Sequence, residues 1–464
     1  MSGSKQELKV FAGQEKEVGT ITLPVGSESD IQLHYSDNWI KTGFPISPHL
    51  PLNREHTHNA ASNYLRNLLP EGQALDDLTS NTTISKANTF GLIAAIGRET
   101  SGALSFYTKT PSETVTSFEE ISESKLTAKL QLAQKGLEAI SIWNGATRLS
   151  VAGVQDKLNL LVKHDGSLGF GEGALCSNYI FKFETGRAPC IVANELFTML
   201  LAKKAGLDIP EVGLRTYGTI RTFTIKRFDR FLEESGNSVK RRHVIDSCQA
   251  TNTPPSYKYE RQHGDERDAQ LYRDGVSFPK LFDVKTVNRV EYQTKLIQWM
   301  TFNILNGNYD AHGKNVSFHV TAKGLRLTPF YDLVNIEAVI RSPHNTTSDN
   351  PILPDDRSSR YFAMSIGEWE AGSAGNFTNE ITAYMLADFA SRFEVSLSRM
   401  ELVMMKTIDD TIMGMEHTKA ELLSNYDLNP EEIKHIDLCI SVVSEAADRL
   451  KPEVAQIPLM SELL

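Results

Sequence analysis

The sequence predicts an α+β chain folded as two lobes, with a β-rich subdomain in front of them. Three observations carry this expectation. At 464 residues the chain is too long for one ordinary core, so two or three domains or lobes are expected. Short β-leaning runs fill the front half, whereas helical patterns take over from about Val290. The polar stretch PSETVTSFEE interrupts the chain after its first strand-rich part. The expected segments are residues 1–115 as the N-terminal subdomain, 116–228 as a mixed lobe and 229–464 as a helical lobe.

Taken in order, LKVFAG, VGTITL and IQLHY read as short strands separated by Gly, Glu and Ser. A helix follows at about Ser62–Leu69 and stops at Pro70, and SFYTK closes the region. DKLNLLVK and NYIFKFE read as strands. ANELFTMLLAKKAGL reads as a helix with Leu196, Met199, Leu200 and Ala202 on its apolar side and Gly206 as its stop. RTFTIKRFDRF is a further strand that turns polar at its end. The stretch from Gln249 to Gly275 is polar, holds two consecutive prolines and is expected to be a loop or surface excursion. DLNPEEIKHIDLCISVVSEAADRL carries the clearest helix signals. Asn429 stands at the N-cap, Pro430 at the first helical position, and Glu431 and Glu432 at the positive end of the dipole. Ile433, Ile436, Ile440 and Val443 are its expected buried stripe.

Composition is that of a globular protein, 40% hydrophobic and 23% charged, with a net charge of −10. An acidic chain lacks the clustered Lys and Arg needed to grip nucleic acid unaided. Its one dense basic run, KRRH at Lys240–His243, reads as a solvated loop edge. Cys176, Cys190, Cys248 and Cys439 show no CxxC spacing, which argues against a disulfide framework or a zinc site and for a reducing compartment. The N-terminal MSGSKQELKV has no apolar h-region, and no apolar run approaches the roughly 18 residues of a membrane span. A cytoplasmic location is expected.

The chemistry concentrates in NGNYDAHGKN, Asn306–Asn315, which joins the helical LIQWMTFNIL to the strand-like VSFHV. A plain turn needs far fewer polar residues. Asp310 and Asn315 lie five apart, and TPFYD ends in Asp332 seventeen residues further on. Hard oxygens of this kind suit Mg²⁺, which takes a few protein ligands and completes its shell with phosphate oxygens. Protein kinases use the same parts: an Asp that orients the attacking hydroxyl, an Asn beyond it, and a metal-binding Asp on the next strand. Here Tyr309 precedes Asp310 where kinases have Arg, and the histidine lies inside the loop as D-x-H-x-x-N, nearer the lipid-kinase variant. On their own, Asp310 and Asn315 read equally well as turn and cap residues.

Upstream residues favour the kinase reading through their order. SVAGVQDK, Ser150–Lys157, is a small-residue turn whose amides could cover phosphates. NYIFKFE supplies Lys182, and ANELF supplies Glu195 on the following helix, the positions of a phosphate lysine and the acid that holds it. Alone, Lys182 reads as an exposed strand lysine. IKRFDR, Ile225–Arg230, falls where a hinge that reads adenine through its backbone must lie. Clefts between two such lobes are common ligand sites.

SVAGVQDK, NYIFKFE, NELFTMLLAKKAGL, KRFDR, NYDAHGKN and LTPFYD together resemble the HipA family, the kinase toxins of bacterial HipBA toxin–antitoxin modules. NYLRNLLPEG and GLIAAIGRETSGAL resemble the family's N-terminal subdomain, so the likeness spans nearly the whole chain. It implies a two-lobed protein-kinase-like fold and an ATP- and Mg²⁺-dependent serine/threonine kinase. Asp310 would be the catalytic base, and Asn315 and Asp332 the metal ligands. Lys182, paired with Glu195, would meet the ATP phosphates under a loop formed by Ala152, Gly153, Val154, Gln155, Asp156 and Lys157. Lys226, Arg227 and Phe228 would form the adenine-reading hinge, mainly through main-chain groups. His312, Gly313, Lys314 and Tyr331 would approach the nucleotide, with His312 read equally as a structural hydrogen-bonder.

The resemblance further implies that Ser150 is autophosphorylated, expelling its loop and silencing the kinase. It implies a small HipB-like helix-turn-helix antitoxin that does most of the gripping of operator DNA. It also implies an aminoacyl-tRNA synthetase as target, glutamyl-tRNA synthetase above all, with arrested translation and persistence as the outcome. The sequence departs from the family at Lys226, where an acidic residue is also common, and in the Gln249–Gly275 stretch. That stretch matches the family's CQ…KYE segment but lacks its usual glycine, which bears on the identity of the target. The alternatives are a silent kinase fold acting as co-repressor with its antitoxin, and a small-molecule kinase. The joint presence of Lys182, Asp310, Asn315 and Asp332 speaks against the first, and SVAGVQDK and NLLPEG against the second.

Overall fold

The computed structural model describes residues 6–13, 16–24, 26–27, 30–97, 99–108, 115–143, 146–147, 157–184, 188–261, 263, 272–346, 353–367 and 380–464. Ser150 and Ala152–Asp156 lie outside the described residues. The chain packs as two compact units, each assembled from segments distant in sequence. The first comprises Met1–Thr185, Arg215–Pro255 and Ser317–Leu325; the second comprises Gly186–Leu214, Ser256–Val316 and Arg326–Leu464. Segments 116–228 and 229–464 therefore each contribute to both units.

In the first unit, strands β1 (Gln6–Ala12), β2 (Lys16–Leu23), β3 (Gln32–Tyr35) and β4 (Leu104–Tyr107) form an antiparallel sheet in the order β3-β2-β1-β4. Alternation sets its register: Leu8 and Val10 stand opposite Ile21 and Gly19 and are fully buried. Helices α1 (Asp37–Thr42), α2 (Ala60–Arg66), α3 (Gln73–Thr82) and α4 (Thr89–Ile96) accompany it. The expected helix at Ser62–Leu69 starts two residues earlier and loosens into turns before Pro70.

A six-stranded sheet follows. Its strands are β5 (Ser117–Glu120), β8 (Lys157–Val162), β9 (Leu168–Glu172), β10 (Tyr179–Phe183), β11 (Val212–Tyr217) and β12 (Ile220–Lys226). Their order is β11-β12-β10-β8-β9-β5, and the small hairpin β6–β7 (Ile142–Trp143, Ala146–Thr147) stands apart from it. Helix α5 (Glu123–Gln134), capped by Ser122, packs Leu126 and Leu130 into one cluster with Leu158, Leu160 and Phe181. Each such leucine contributes about 2 kcal/mol of burial. The hairpin β13–β14 (Arg230–Leu232, Val239–Arg241) and the sheet β15-β16-β17 (Val244–Asp246, Ser317–Thr321, Gly324–Leu327) complete the strands.

The basic run is a solvated edge only at Lys240 and Arg242. Lys240 is exposed, but Arg241 donates to Ser105 Oγ at 3.0 Å, and His243 is buried with Nε2 at 2.9 Å from the Ile46 carbonyl oxygen. The Gln249–Gly275 stretch also begins inside the protein. Helix α7 (Ser247–Ala250) is wholly buried. Gln249 Nε2 donates to the Tyr64 carbonyl at 3.0 Å, Asn63 Nδ2 to that of Asn252 at 2.9 Å, and Asn67 Nδ2 to that of Thr253 at 2.9 Å. Polar side chains on both sides tie the stretch to α2 and the turn after it, satisfying backbone carbonyls that would otherwise be buried unpaired.

The second unit is helical: α6 (Ile191–Lys204), α8 (Phe278–Phe282), α9 (Arg289–Leu305), α10 (Ile336–Arg341), α11 (Pro343–Thr346), α12 (Ala383–Arg392), α13 (Leu397–Asn425) and α14 (Pro430–Gln456). The start of α14 is as expected: Asn429 Oδ1 accepts from Glu431 N and Glu432 N, each at 2.9 Å, and Glu432 returns the bond to Asn429 N. Its buried face runs through Glu432, His435, Ile436, Cys439 and Val443, leaving Ile433 and Ile440 only partly covered. Capping turns Glu432 inward, and the stripe follows it. Helix α6 has no such stripe, since Asn194, Glu195 and Thr198 are buried alongside its apolar residues; Gly206, at φ +85°, follows its end. Among the described residues, no helix is long and apolar enough to cross a membrane.

Two buried histidines make stability pH-dependent. Burial lowers the pKa of both His243 and His435 to about 4. Asn194 Nδ2 donates to His435 Nε2 at 2.9 Å, a contact that only the neutral ring accepts. The unfolded rings titrate near 6.5, so between about pH 6.5 and 4 the unfolded chain binds more protons, and stability falls as pH falls. Urea midpoints are expected to drop from pH 7.5 to pH 5, with His243→Gln removing part of that slope. An unchanged slope in the variant would remove His243 from the account.

Candidate active site

The polar loop grows out of the end of α9. Asn303 Nδ2 donates back to the Trp299 carbonyl at 2.9 Å, and Asn308 Nδ2 donates to Asn303 Oδ1 at 2.8 Å. Gly307 takes φ +55°, and a Cβ there would stand 2.7 Å from Glu337 Cβ, so glycine is required. Tyr309 turns inward and donates to Glu337 Oε2 at 3.0 Å; Arg341 and Arg360 bind the same carboxylate. The loop is thus braced on both sides of Asp310.

Asp310 itself is exposed. Its carbonyl accepts from His312 N at 2.8 Å, and that of His312 accepts from Asn315 N at 2.9 Å, closing a tight turn over Gly313–Asn315. Gly313 N donates to the Lys258 carbonyl at 2.9 Å, and a Cβ on Gly313 would meet Val276 at 2.6 Å. Tyr331 Oη donates to the Lys314 carbonyl at 2.6 Å. The turn thereby carries Asn315 onto Asp332, with Nδ2 donating to Oδ2 at 3.1 Å. Asp332 holds φ +60°, a left-handed conformation that costs an ordinary residue on the order of 1 kcal/mol and collects at functional sites. Asn315 Oδ1 is buried and, among the described residues, meets no hydrogen-bond donor. An amide that points its nitrogen at a carboxylate and leaves its oxygen unmatched fits a hard cation such as Mg²⁺ shared by Asn315 and Asp332.

The remaining expected residues divide between the units. Lys182 lies on β10 with Lys157 of β8 as its direct cross-strand partner, and both are buried. Residues directly opposite one another share a face of the sheet, so both side chains rise from the same side of it. Glu195 is fully buried on α6, in the second unit. Lys226 ends β12 and is exposed, while the Phe228 ring stands edge-on to His319 at 5.9 Å.

Arg227 is committed elsewhere. Its Nε and Nη2 each meet Asp229 at 2.9 Å, its backbone N donates to the Asn178 carbonyl at 2.9 Å, and Arg230 Nη1 reaches the same aspartate at 2.7 Å. Burial alone would raise Asp229, but the two guanidinium charges overcome it and hold the carboxyl well below the usual carboxylate range.

Sequence reasoning missed two partners of the loop. Glu337, 28 residues beyond the tyrosine that donates to it and in a helix, carries no local signal. Tyr259 lies in the stretch read as a loop, yet its hydroxyl donates to Asp310 Oδ1 at 2.6 Å. The only available hint was the likeness of that stretch to the CQ…KYE segment.

A family model described as the HipA-like C-terminal domain matches residues 149–415, and one described as the HipA N-terminal domain matches residues 8–107. The chain belongs to the HipA family. It is 42% identical over 307 residues to the serine/threonine-protein kinase toxin HipA of Shewanella oneidensis, spanning 66% of this chain and 70% of that one. Among solved structures it is similar to the HipA of the Shewanella oneidensis MR-1 complex of HipA, HipB and operator DNA. The TM-score is 0.83 at 32% identity, covering 97% of this chain and 99% of that one. The α+β HipA fold and the family resemblance read from the motifs are both as expected.

Proposed function

We propose that this HipA protein is an ATP-dependent serine/threonine protein kinase and the toxin of a toxin–antitoxin pair. The observation that carries this reading is the Asn315–Asp332 contact with its unmatched amide oxygen, five residues from an exposed Asp310. Asp310 accepts the proton of the acceptor hydroxyl. Asn315 Oδ1 and Asp332 would hold Mg²⁺, which would supply positive charge against the phosphates. Lys182 and Lys157 would take the phosphate oxygens, and the family's roles of paired acid and phosphate-covering loop would fall to Glu195 and to Ala152–Asp156. Main-chain groups at Lys226 and Phe228 read adenine. His312, Gly313, Lys314 and Tyr331 shape the nucleotide's surroundings, with His312 and Tyr331 acting through the loop they brace. Catalysis by such a set is chiefly positioning and electrostatics.

A HipB-like helix-turn-helix antitoxin would neutralise the kinase and carry it to operator DNA. The net charge of −10 supports leaving the DNA contacts to that partner. The target would be an aminoacyl-tRNA synthetase, with glutamyl-tRNA synthetase first among them, in the bacterial cytoplasm; its modification would halt translation. Ser150 is the proposed site of autophosphorylation, where a phosphate of charge about −1.5 to −2 would oppose ATP binding.

Intact mass before and after incubation with Mg–ATP tests the reading. The unphosphorylated protein is expected to gain one phosphate, and Ser150→Ala none. A protein that starts without phosphate and gains none would overturn the kinase assignment. A gain that persists in Ser150→Ala would overturn the site.

A further inference from the structure

Asp310 is the one member of the loop whose side chain stands in solvent, and an exposed carboxylate rotates freely unless something holds it. Among the described residues, one group does. Tyr259 Oη donates to Oδ1 at 2.6 Å, within the range of short charge-assisted bonds, and no group of the described residues is bonded to Oδ2. The tyrosine ring stands edge-on to the His312 ring at 5.1 Å.

Its backbone is fixed. The Lys258 carbonyl takes Gly313 N at 2.9 Å, Val276 N donates to the Tyr257 carbonyl at 2.9 Å, and Gly275 N donates to the Glu260 carbonyl at 3.1 Å. Glu260 is 2% exposed, donates its N–H to the Ala363 carbonyl at 3.0 Å and accepts from Ser365 N. A Cβ on Gly275 would lie 1.6 Å from the Tyr259 carbonyl oxygen, so the neighbouring strand of chain closes directly over the tyrosine's backbone. Tyr259 is thus a phenol of fixed origin reaching out to a carboxylate that no other group of the described residues holds.

We propose that Tyr259 is a positioning residue for phosphoryl transfer, holding Oδ1 of Asp310 so that Oδ2 alone faces the acceptor hydroxyl. This rests on Asp310 being the base. In the transfer, the acceptor O–H bond breaks and its proton passes to Oδ2. The freed oxygen pair forms the new O–P bond, and the electrons of the breaking P–O bond leave with ADP. Tyr259 keeps its own proton throughout and fixes which lone pair of the carboxylate is presented.

The test compares Tyr259→Phe, Asp310→Gln and wild type in the rate of phosphate gain at saturating Mg–ATP, with affinity for a non-hydrolysable ATP analogue and melting temperature measured on each. Tyr259→Phe keeps the ring and is expected to slow transfer about 10- to 100-fold, with analogue affinity and melting temperature held. A wild-type rate in Tyr259→Phe beside a dead Asp310→Gln overturns the proposal and leaves the base reading standing. A rate and an analogue affinity that fall together also overturn it, since the tyrosine would then only support the loop. A wild-type rate in Asp310→Gln removes the base reading and the proposal with it.

Discussion

Asp310→Gln is expected to slow phosphate gain by about 10²- to 10⁴-fold while the protein stays folded and binds nucleotide. A base that takes a proton as the hydroxyl attacks contributes about 10²- to 10⁴-fold, and a carboxamide cannot take that proton. The structural cost should be small. The side chain is exposed, its one hydrogen bond among the described residues is to Tyr259, and Gln still offers that phenol an acceptor oxygen. The bonds that shape the turn run through the Asp310 main chain instead. Single-turnover rates and melting curves on the same preparations check this. A wild-type rate would strip Asp310 of its role, and a collapsed melting curve would make the residue structural.

The second large effect is on stability. Asp229→Asn leaves a side chain of the same shape but withdraws the charge that holds Arg227 and Arg230 inside the first unit. Both guanidinium groups are buried, and so is the carboxylate, which also accepts from Gly102 N at 3.0 Å. Removing one partner from such a cluster typically costs about 3–5 kcal/mol, because the charges left behind stay out of water. Urea denaturation should show a loss of that order. Hydrogen exchange should place it, with faster exchange at Thr100–Leu104 and Arg230–Leu232 and unchanged exchange in α13 and α14. An unchanged urea midpoint would mean that the two arginines find water or other partners without the aspartate.

The sequence told most where chemistry and chain are local. Asp310, Asn315 and Asp332 sit close enough in sequence for their spacing to suggest a shared metal, and Asn429 with Pro430 and Glu432 announces a helix start in four residues. What stayed hidden depends on packing between distant segments. Nothing near Gln249 says that its amide will brace Tyr64, nor anything in KRFDR that Gly102, far upstream, will meet Asp229 indoors. The KRRH run looked solvated because its charge is visible and the Ile46 carbonyl that receives His243 is not. Tyr259 was overlooked for the same reason: a tyrosine in a polar stretch points nowhere until Gly275 and Gly313 fix its backbone.

The pairing of β15 with β16 has a bearing on synthesis. β15 ends at Asp246 and β16 begins at Ser317, so the ribosome delivers the second strand about seventy residues after the first. At roughly 5–20 residues per second that is a wait of about 4–14 s, with the edge of Val244–Asp246 unpaired meanwhile. Asp310 to Asn315 are made in that same interval, immediately before the strand that ends the wait. A nascent chain therefore cannot finish its first unit before the loop that carries the proposed chemistry has been translated.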